Sequence, residues 1–368
     1  MQRKKNDDVV YVCLSTNDKW APFAAATIAS ILSNTKSKVH FFVLYTELSQ
    51  ENIDIINALL EKSLNKTSAE TPKNSNASID YISVNDGQLQ NFNSNIPYIT
   101  NDTFSKILFP NIKNDIERVI YTDVDVVFKG DVAELFNEDL SGHVIGAVEG
   151  ISHSDGKDNI RLNIDKNHKY FQAGLLLIDC KKWREEKITS ACFRILRGNQ
   201  KLRYGDQDLL NIVFSDNNYK KLHQKYCVIP FQLAETQSFS EDSREALRKP
   251  FIIHYAGGNK PWITSGPLEN DFWRYAAMTD FFPDIIKMRL NSDFVSKERS
   301  ITTKQYKLFG IIPLLKIKRK FMYFQITERY FLFNFVPILK KVDDFDSVTW
   351  TSFFGAPILR LTKSKNER

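Results

Sequence analysis

The stretch Arg118–Phe128, RVIYTDVDVVF, decides how the rest of the chain is read. Val119, Ile120 and Tyr121 form a short apolar run with two β-branched residues, as expected of a buried strand, and the run stops at Asp123. The two acids that follow therefore lie where the strand leaves the sheet. In open α/β sheets ligands bind at the carboxyl ends of strands. Asp123 and Asp125 are two positions apart, so a turn in the backbone lets both carboxylates converge on one hard cation. Short D-x-D strings also occur in plain surface turns. Acids at the end of a buried strand nevertheless need a partner, and a metal ion is the usual one.

Outward from this point the pattern alternates. Asp8–Leu14 reads as a strand, Ala21–Leu32 as a helix and Val39–Tyr45 as a second strand. Ser49 is placed to N-cap a helix through Leu64. This β-α-β-α order predicts a parallel sheet covered by helices. Asn65–Asn76 is polar and predicts a solvent loop before a strand at Ser78–Val84, and Tyr98–Phe109 reads as a helix. Tyr170–Asp179 reads as a buried strand, Lys181–Leu196 as one helix, and Asp206–Phe214 as a helix opening with carboxylates. Pro250–Tyr255 reads as a strand, with His254 near its end and a Gly-rich turn behind it. No internal repeat or low-complexity segment is read.

An imidazole beside two carboxylates forms a donor set suited to Mn²⁺ as well as Mg²⁺. Alone, a strand-end His such as His254 is more often a hydrogen-bonded structural residue. Lys260 follows Gly257 and Gly258, where bare backbone N–H groups can approach phosphate oxygens and the ammonium supplies a point charge. The plainer reading is a solvated Lys in a turn closed by Pro261.

The 368 residues are 42% hydrophobic and 26% charged, which excludes collagen-like, coiled-coil and largely disordered classes. No run of 18 uncharged apolar residues occurs, and Met1–Asp8 lacks the apolar core of a leader peptide, so a cytoplasmic chain is expected. The cysteines Cys13, Cys180, Cys192 and Cys227 are far apart and read as reduced, buried side chains. From Asn291 onward there are 15 Lys and Arg against 7 Asp and Glu, a net +8, which leaves −2 for the first 290 residues. That tail also holds many aromatics and the run Lys316-Ile317-Lys318-Arg319-Lys320. The combination suits an anionic membrane surface, where each basic residue contributes about 1 kcal/mol. Nucleic acid is disfavoured because the body is slightly acidic, and a packed cap on the body is the other alternative.

Four strings, Arg118–Phe128, Phe171–Arg184, Asp206–Asn211 and His254–Trp262, occur in an order and spacing that resemble glycosyltransferase family 8. That family holds bacterial lipopolysaccharide galactosyl- and glucosyltransferases, glycogenin and galactinol synthase. The resemblance covers roughly residues 8 to 280. It implies an α/β chain: a single GT-A catalytic domain, a Rossmann-like α/β/α sandwich, over residues 1–290. Residues 291–368 form a basic extension, expected to be mainly helical and membrane-associating. It further implies a retaining transfer of a hexose, glucose or galactose, from a UDP-sugar with Mn²⁺, or Mg²⁺ as the alternative. The acceptor would be a cell-surface glycan or lipid-linked oligosaccharide such as lipopolysaccharide, and the enzyme peripheral on the inner face of the cytoplasmic membrane.

By the same resemblance Asp123, Asp125 and His254 would ligate the metal, and Gly257 and Lys260 would contact the diphosphate. Ser15, Asn17 and Trp20, after the first strand, would hold the uridine, the indole stacking on the base. Val124 and Ala173 would line the donor, and Asp206 and Gln207 would face the donor sugar. Gln207 would be a nucleophile or a stabiliser of an oxocarbenium-like transition state, and Asp206 a base. Two departures bear on donor choice. Gln172-Ala173-Gly174 stands where the family usually has Asn-Ala-Gly, and Lys106 stands where it usually has Arg. The rival readings are a catalytically silent nucleotide-sugar- or glycan-binding protein on the same fold, and a nucleotidyltransferase. The latter would more often carry a Gly-rich phosphate loop near its first strand, which Ser15–Trp20 is not.

Overall fold

The computed structural model describes residues 9–65, 77–84, 101–151, 156–198, 202–231, 241–291, 301–308, 312–322, 325–333, 336–343, 347–352 and 357–362. The chain start before residue 9 and the expected polar loop from residue 66 to 76 lie outside them.

Strand β1 (Val9–Thr16) pairs in parallel with β2 (Lys38–Tyr45), and β2 with β3 (Ala77–Ser83). On its other side β1 pairs in parallel with β4 (Arg118–Thr122). The short β5 (Val126–Phe128) follows the two acids, and β6 (Ile145–Glu149) and β7 (Phe171–Asp179) continue the main sheet. With β8 (Lys220–Lys221) at its edge, that sheet has the order β3-β2-β1-β4-β7-β6-β8. β7 runs antiparallel to β4, and β5 pairs antiparallel with β9 (Ile252–His254) in a separate two-stranded ribbon. Buried residues flank the sheet in two layers, one around helix α1 (Ala21–Asn34) and one around Phe109, Trp183 and Phe214. Helix α2 (Gln50–Asn65) starts after Ser49, whose Oγ accepts from Asn52 N at 3.4 Å.

Two expected elements are built differently. Residues 181–196 are not one helix: Cys180–Glu185 and Ile188–Arg197 are separate helices, broken where Lys187 takes φ 55°. The break lets Trp183 and Cys192 both reach the core, and Trp183 Nε1 donates across it to Thr189 Oγ1 at 2.9 Å. Within the stretch before the acids, Asn101–Ile107 is a 3₁₀ helix followed by one α-turn, Phe109–Ile112.

From residue 301 onward the described residues of the C-terminal extension form strands, where a mainly helical extension is expected from the sequence. Strands β10 (Ile301–Leu308), β11 (Ile312–Met322), β12 (Gln325–Leu332), β13 (Val336–Asp343), β14 (Ser347–Ser352) and β15 (Pro357–Thr362) form an antiparallel sheet in sequence order. It is also an internal repeat, contrary to the sequence reading. Pro313, Pro337 and Pro357 each pair across a hairpin with Lys307, Phe331 and Thr351. Each hairpin then skips one residue, and Tyr306, Tyr330 and Trp350 pair with Leu315, Leu339 and Leu359. The common string is Pro, an aliphatic residue, Leu, then Lys or Arg: Pro313–Lys316, Pro337–Lys340 and Pro357–Arg360. Unequal spacing of the three copies hides the repeat. A proline so placed would break a helix but is tolerated beside a bulge, while β-branched and aromatic neighbours favour strands.

Candidate active site

The ladder ending at Thr122 aims the two acids. Asp123 N donates to Gly174 O at 2.8 Å, extending the β4–β7 pairing, after which the chain turns into β5. Buried Thr27 of α1 pins that turn: its Oγ1 lies 2.9 Å from Val124 O and 2.8 Å from Val126 O, on either side of Asp125. β5 pairs with β9, which brings His254 opposite Val126. Ligand atoms of Asp123, Asp125 and His254 consequently lie within 4.8 Å of one another.

Three features fit this trio to a divalent cation. Asp125 Oδ1 is buried, 3.2 Å from His254 Nε2, yet forms no hydrogen bond of acceptable geometry. Lys260 meanwhile places its ammonium against Asp125 Oδ2, holding a positive charge where a cation would sit. Gly174 leaves the trio open, because a Cβ there would fall 2.3 Å from His254 Cε1 and 2.8 Å from Asp123 Oδ2. Burial opposes the charged forms of Asp125 and His254. For Asp125 the Lys260 and His254 charges outweigh it and hold the carboxyl well below the usual range. For His254 the Asp125 carboxylate outweighs it and raises the imidazole to about 10. A cation taken up here must therefore displace a proton from His254.

A second cluster adjoins the first through Asp123. Buried Lys106 donates to Asp206 Oδ2 at 2.5 Å, to Ala173 O at 2.9 Å and to Asp123 Oδ1 at 3.4 Å. Its Nζ lies 4.2 Å from the Tyr121 ring, and Tyr121 OH donates to Asp123 Oδ1 at 3.1 Å. Burial disfavours the ammonium, but Asp123 and Asp206 outweigh it and raise its pKa; burial likewise pushes Asp206 up to about 6 against the pull of Lys106. Gln207 Oε1 accepts from Ala173 N at 3.2 Å, so the helix Asp206–Val213 presents both candidate residues to β7.

The remaining expected residues surround these clusters. Ser15 belongs to β1 itself, which parallel pairing carries on to Thr16, and Ser105 Oγ donates to it at 2.8 Å beside Lys106. Asn17 O accepts from Trp20 N at 3.0 Å, and Trp20 caps α1 with its ring 6.2 Å from Trp262, two residues after Lys260. Gly257 takes φ +78° with open space around it, as a turn approached by a ligand allows. Gln172 is 4% exposed, and among the described residues its Nε2 has no hydrogen-bond partner.

Several supporting residues escaped the sequence reading. Asp208 is fully buried and accepts two 2.8 Å bonds from Arg161 and one of 2.7 Å from Tyr170 OH. Asn211 accepts from Phe171 N and donates to Phe171 O, clamping the start of β7. Thr27 and Cys227 lie far from the motifs in sequence and carry no local signal. Gly174 could have been found, since a glycine inside a strand marks close approach.

The family model described as glycosyl transferase family 8 matches residues 11–266. The chain belongs to glycosyltransferase family 8. This family 8 protein is 26% identical over 269 residues to a lipopolysaccharide 1,2-glucosyltransferase of Escherichia coli, covering 71% of this chain and 73% of that one. It is 24% identical over 289 residues to general stress protein A of Bacillus subtilis, covering 75% and 96%. In structure it matches the galactosyltransferase LgtC, solved with donor and acceptor sugar analogues, at TM-score 0.63 and 20% identity over 76% of this chain and all of that one. It matches the bifunctional glycosyltransferase WbbM at TM-score 0.61 and 23% identity, covering 79% of this chain and about half, 53%, of that one. The catalytic fold is thus GT-A, and membership makes this family 8 chain a glycosyltransferase acting between a nucleotide-sugar donor and a glycan acceptor. Among the described residues no helix is long and apolar enough to cross a membrane.

Proposed function

We propose that this glycosyltransferase moves glucose or galactose from a UDP-sugar to a cell-surface glycan such as lipopolysaccharide, with Mn²⁺ at Asp123, Asp125 and His254 and with retention of anomeric configuration. The observation that carries the reading is the junction of the Asp123/Asp125/His254 trio with the Lys106–Asp206–Gln207 cluster through Asp123. The E. coli relative supports the acceptor class.

A divalent ion, when bound, supplies Lewis-acid stabilisation of the diphosphate leaving group. Lys260 moves from Asp125 to the diphosphate and adds a second positive charge. Trp20 stacks on uracil beside Ser15 and Asn17, and Gly257 gives the phosphates access to backbone N–H groups. Val124 and Ala173 line the donor. Gln207, held by Ala173 N, stabilises charge developing on the sugar. The acceptor oxygen bonds to the anomeric carbon from the face that UDP leaves. The electron pair of the broken C–O bond stays with UDP, and the hydroxyl proton passes to a diphosphate oxygen. Asp206 is the weaker candidate base, because it is buried and engaged by Lys106.

The test is slow hydrolysis of a panel of UDP-sugars with Mn²⁺ and no acceptor. Release of UDP from a hexose donor is expected; UDP binding without release from any donor would instead support the catalytically silent alternative. The same panel reads donor choice. Gln172→Asn and Lys106→Arg are expected to change the relative rates across UDP-glucose, UDP-galactose and their N-acetyl forms more than UDP affinity. Polar sugar contacts left unpaired cost roughly 1 to 3 kcal/mol. Identical relative rates in both variants would remove the two residues from donor selection.

The proposed division places catalysis in residues 1–290 and membrane attachment in 291–368. Among residues whose burial is described, the buried core ends at Ile285. In the tail sheet, register aligns the basic positions Lys318, Arg329 and Lys340 across three strands, which suits an anionic surface. A chain ending at residue 290 is expected to stay folded and to hydrolyse UDP-sugar, but to stop sedimenting with anionic vesicles. An insoluble truncation, with no vesicle binding by the full chain, would instead make the tail a packed cap. On the membrane reading, the proposed location is the inner face of the cytoplasmic membrane.

A further inference from the structure

The metal-binding tautomer of His254 needs a partner on its far nitrogen. With Nε2 turned to Asp125, a neutral imidazole carries its proton on Nδ1. The group facing Nδ1 is the thiol of Cys227, with Sγ at 3.7 Å. Cys227 is fully buried, and backbone pairing holds it there: Val228 N donates to Ile252 O, and His254 N donates to Val228 O, both at 2.9 Å. Val228 and Ile253 also form an isolated parallel bridge, so the segment beside Cys227 runs alongside β9.

Resting on the reading of Asp123, Asp125 and His254 as metal ligands, we propose that Cys227 is a positioning residue that fixes the tautomer and ring orientation of His254. Histidines that ligate metals almost always donate the other ring N–H to an oxygen acceptor, and losing that partner weakens metal binding. Sulfur is a weak acceptor, and its place is set by the backbone rather than by a flexible side chain. A single Cβ–Sγ bond thus reaches the imidazole from a rigid segment on the face away from the carboxylates. The thiol touches neither donor nor acceptor and takes no part in bond making.

The test measures Mn²⁺ affinity in the presence of UDP by electron paramagnetic resonance of the free ion, beside thermal unfolding of the metal-free proteins. Cys227→Ala is expected to weaken Mn²⁺ binding by about tenfold. Cys227→Ser, which keeps a hydrogen-bond acceptor near Nδ1, is expected to recover most of that loss even if it unfolds at lower temperature. Wild-type affinity in Cys227→Ala, or equal weakening in both variants, would overturn the role and leave the thiol as packing. Absence of Mn²⁺ uptake by the wild-type protein, with UDP still bound, would overturn the metal site and this role with it.

Discussion

Asp125→Asn and His254→Ala are each expected to lower UDP-sugar turnover by on the order of 10²-fold or more, because on the proposed assignment each removes part of the principal electrostatic stabiliser of the leaving group. The two act by different routes. Asn keeps the shape of Asp125 but removes the charge that binds both Lys260 and His254, so those two cations are left buried beside a neutral amide. Ala at 254 removes the nitrogen ligand and leaves Asp125 with Lys260. Both variants are expected to stay folded, since β5 and β9 are joined by backbone pairing and Thr27 still grips the turn. UDP release on the donor panel, Mn²⁺ titration and circular dichroism together decide it. Retention of more than about a tenth of wild-type turnover by either variant contradicts the metal assignment.

Gly174→Ala is expected to have an effect of similar size from a residue that carries no reactive group. Its Cβ would meet His254 Cε1 at 2.3 Å and Asp123 Oδ2 at 2.8 Å, so the imidazole, the carboxylate or β7 must move. Movement of β7 is resisted: Leu175, Leu176 and Leu177 are buried, and Asp123 N is bonded to Gly174 O. His254 is 4% exposed and backed by Cys227, which leaves its ring little room to retreat. The carboxylate and the ring are therefore expected to separate. Mn²⁺ affinity and turnover should fall by about 10²-fold, the scale on which loss of a preorganised stabiliser is felt. Thermal stability should fall less than in a core truncation, because no cavity is opened. An alanine variant that binds Mn²⁺ like the wild type would mean that the trio adjusts freely and is not preorganised.

Much of the catalytic body was legible in the chain itself. Apolar runs such as Val39–Tyr45 and Phe171–Asp179 become strands because nothing in them breaks a strand and both faces are buried. Asp123 and Asp125 betray themselves by ending such a run, and His254 by ending another. Four motifs in order then point to the family, because order and spacing together are far rarer than any one string. The tail was less legible. Its basic and aromatic composition was plain, but composition has no period, and the helical reading overlooked three prolines placed alike. The hairpin repeat resides in the pairing of Lys307, Phe331 and Thr351 with those prolines, which unequal spacing along the chain conceals.

Read alone, the chain names the chemical groups: three carboxylates (Asp123, Asp125, Asp206), an imidazole (His254), two lysines (Lys106, Lys260) and two glutamines (Gln172, Gln207), most of them near the ends of apolar runs. Which of these groups meet is set by the folded chain. Lys106 and Asp206 are 100 residues apart, Asp125 and Lys260 are 135 apart, and Cys227 faces His254 from a neighbouring segment with no motif of its own. Local pattern reports burial and periodicity, which act over a few residues. Side chains distant in the chain come into contact through the pairing of β4 with β7 and of β5 with β9, and that pairing is settled by the packing of the whole sheet against its two layers of helices.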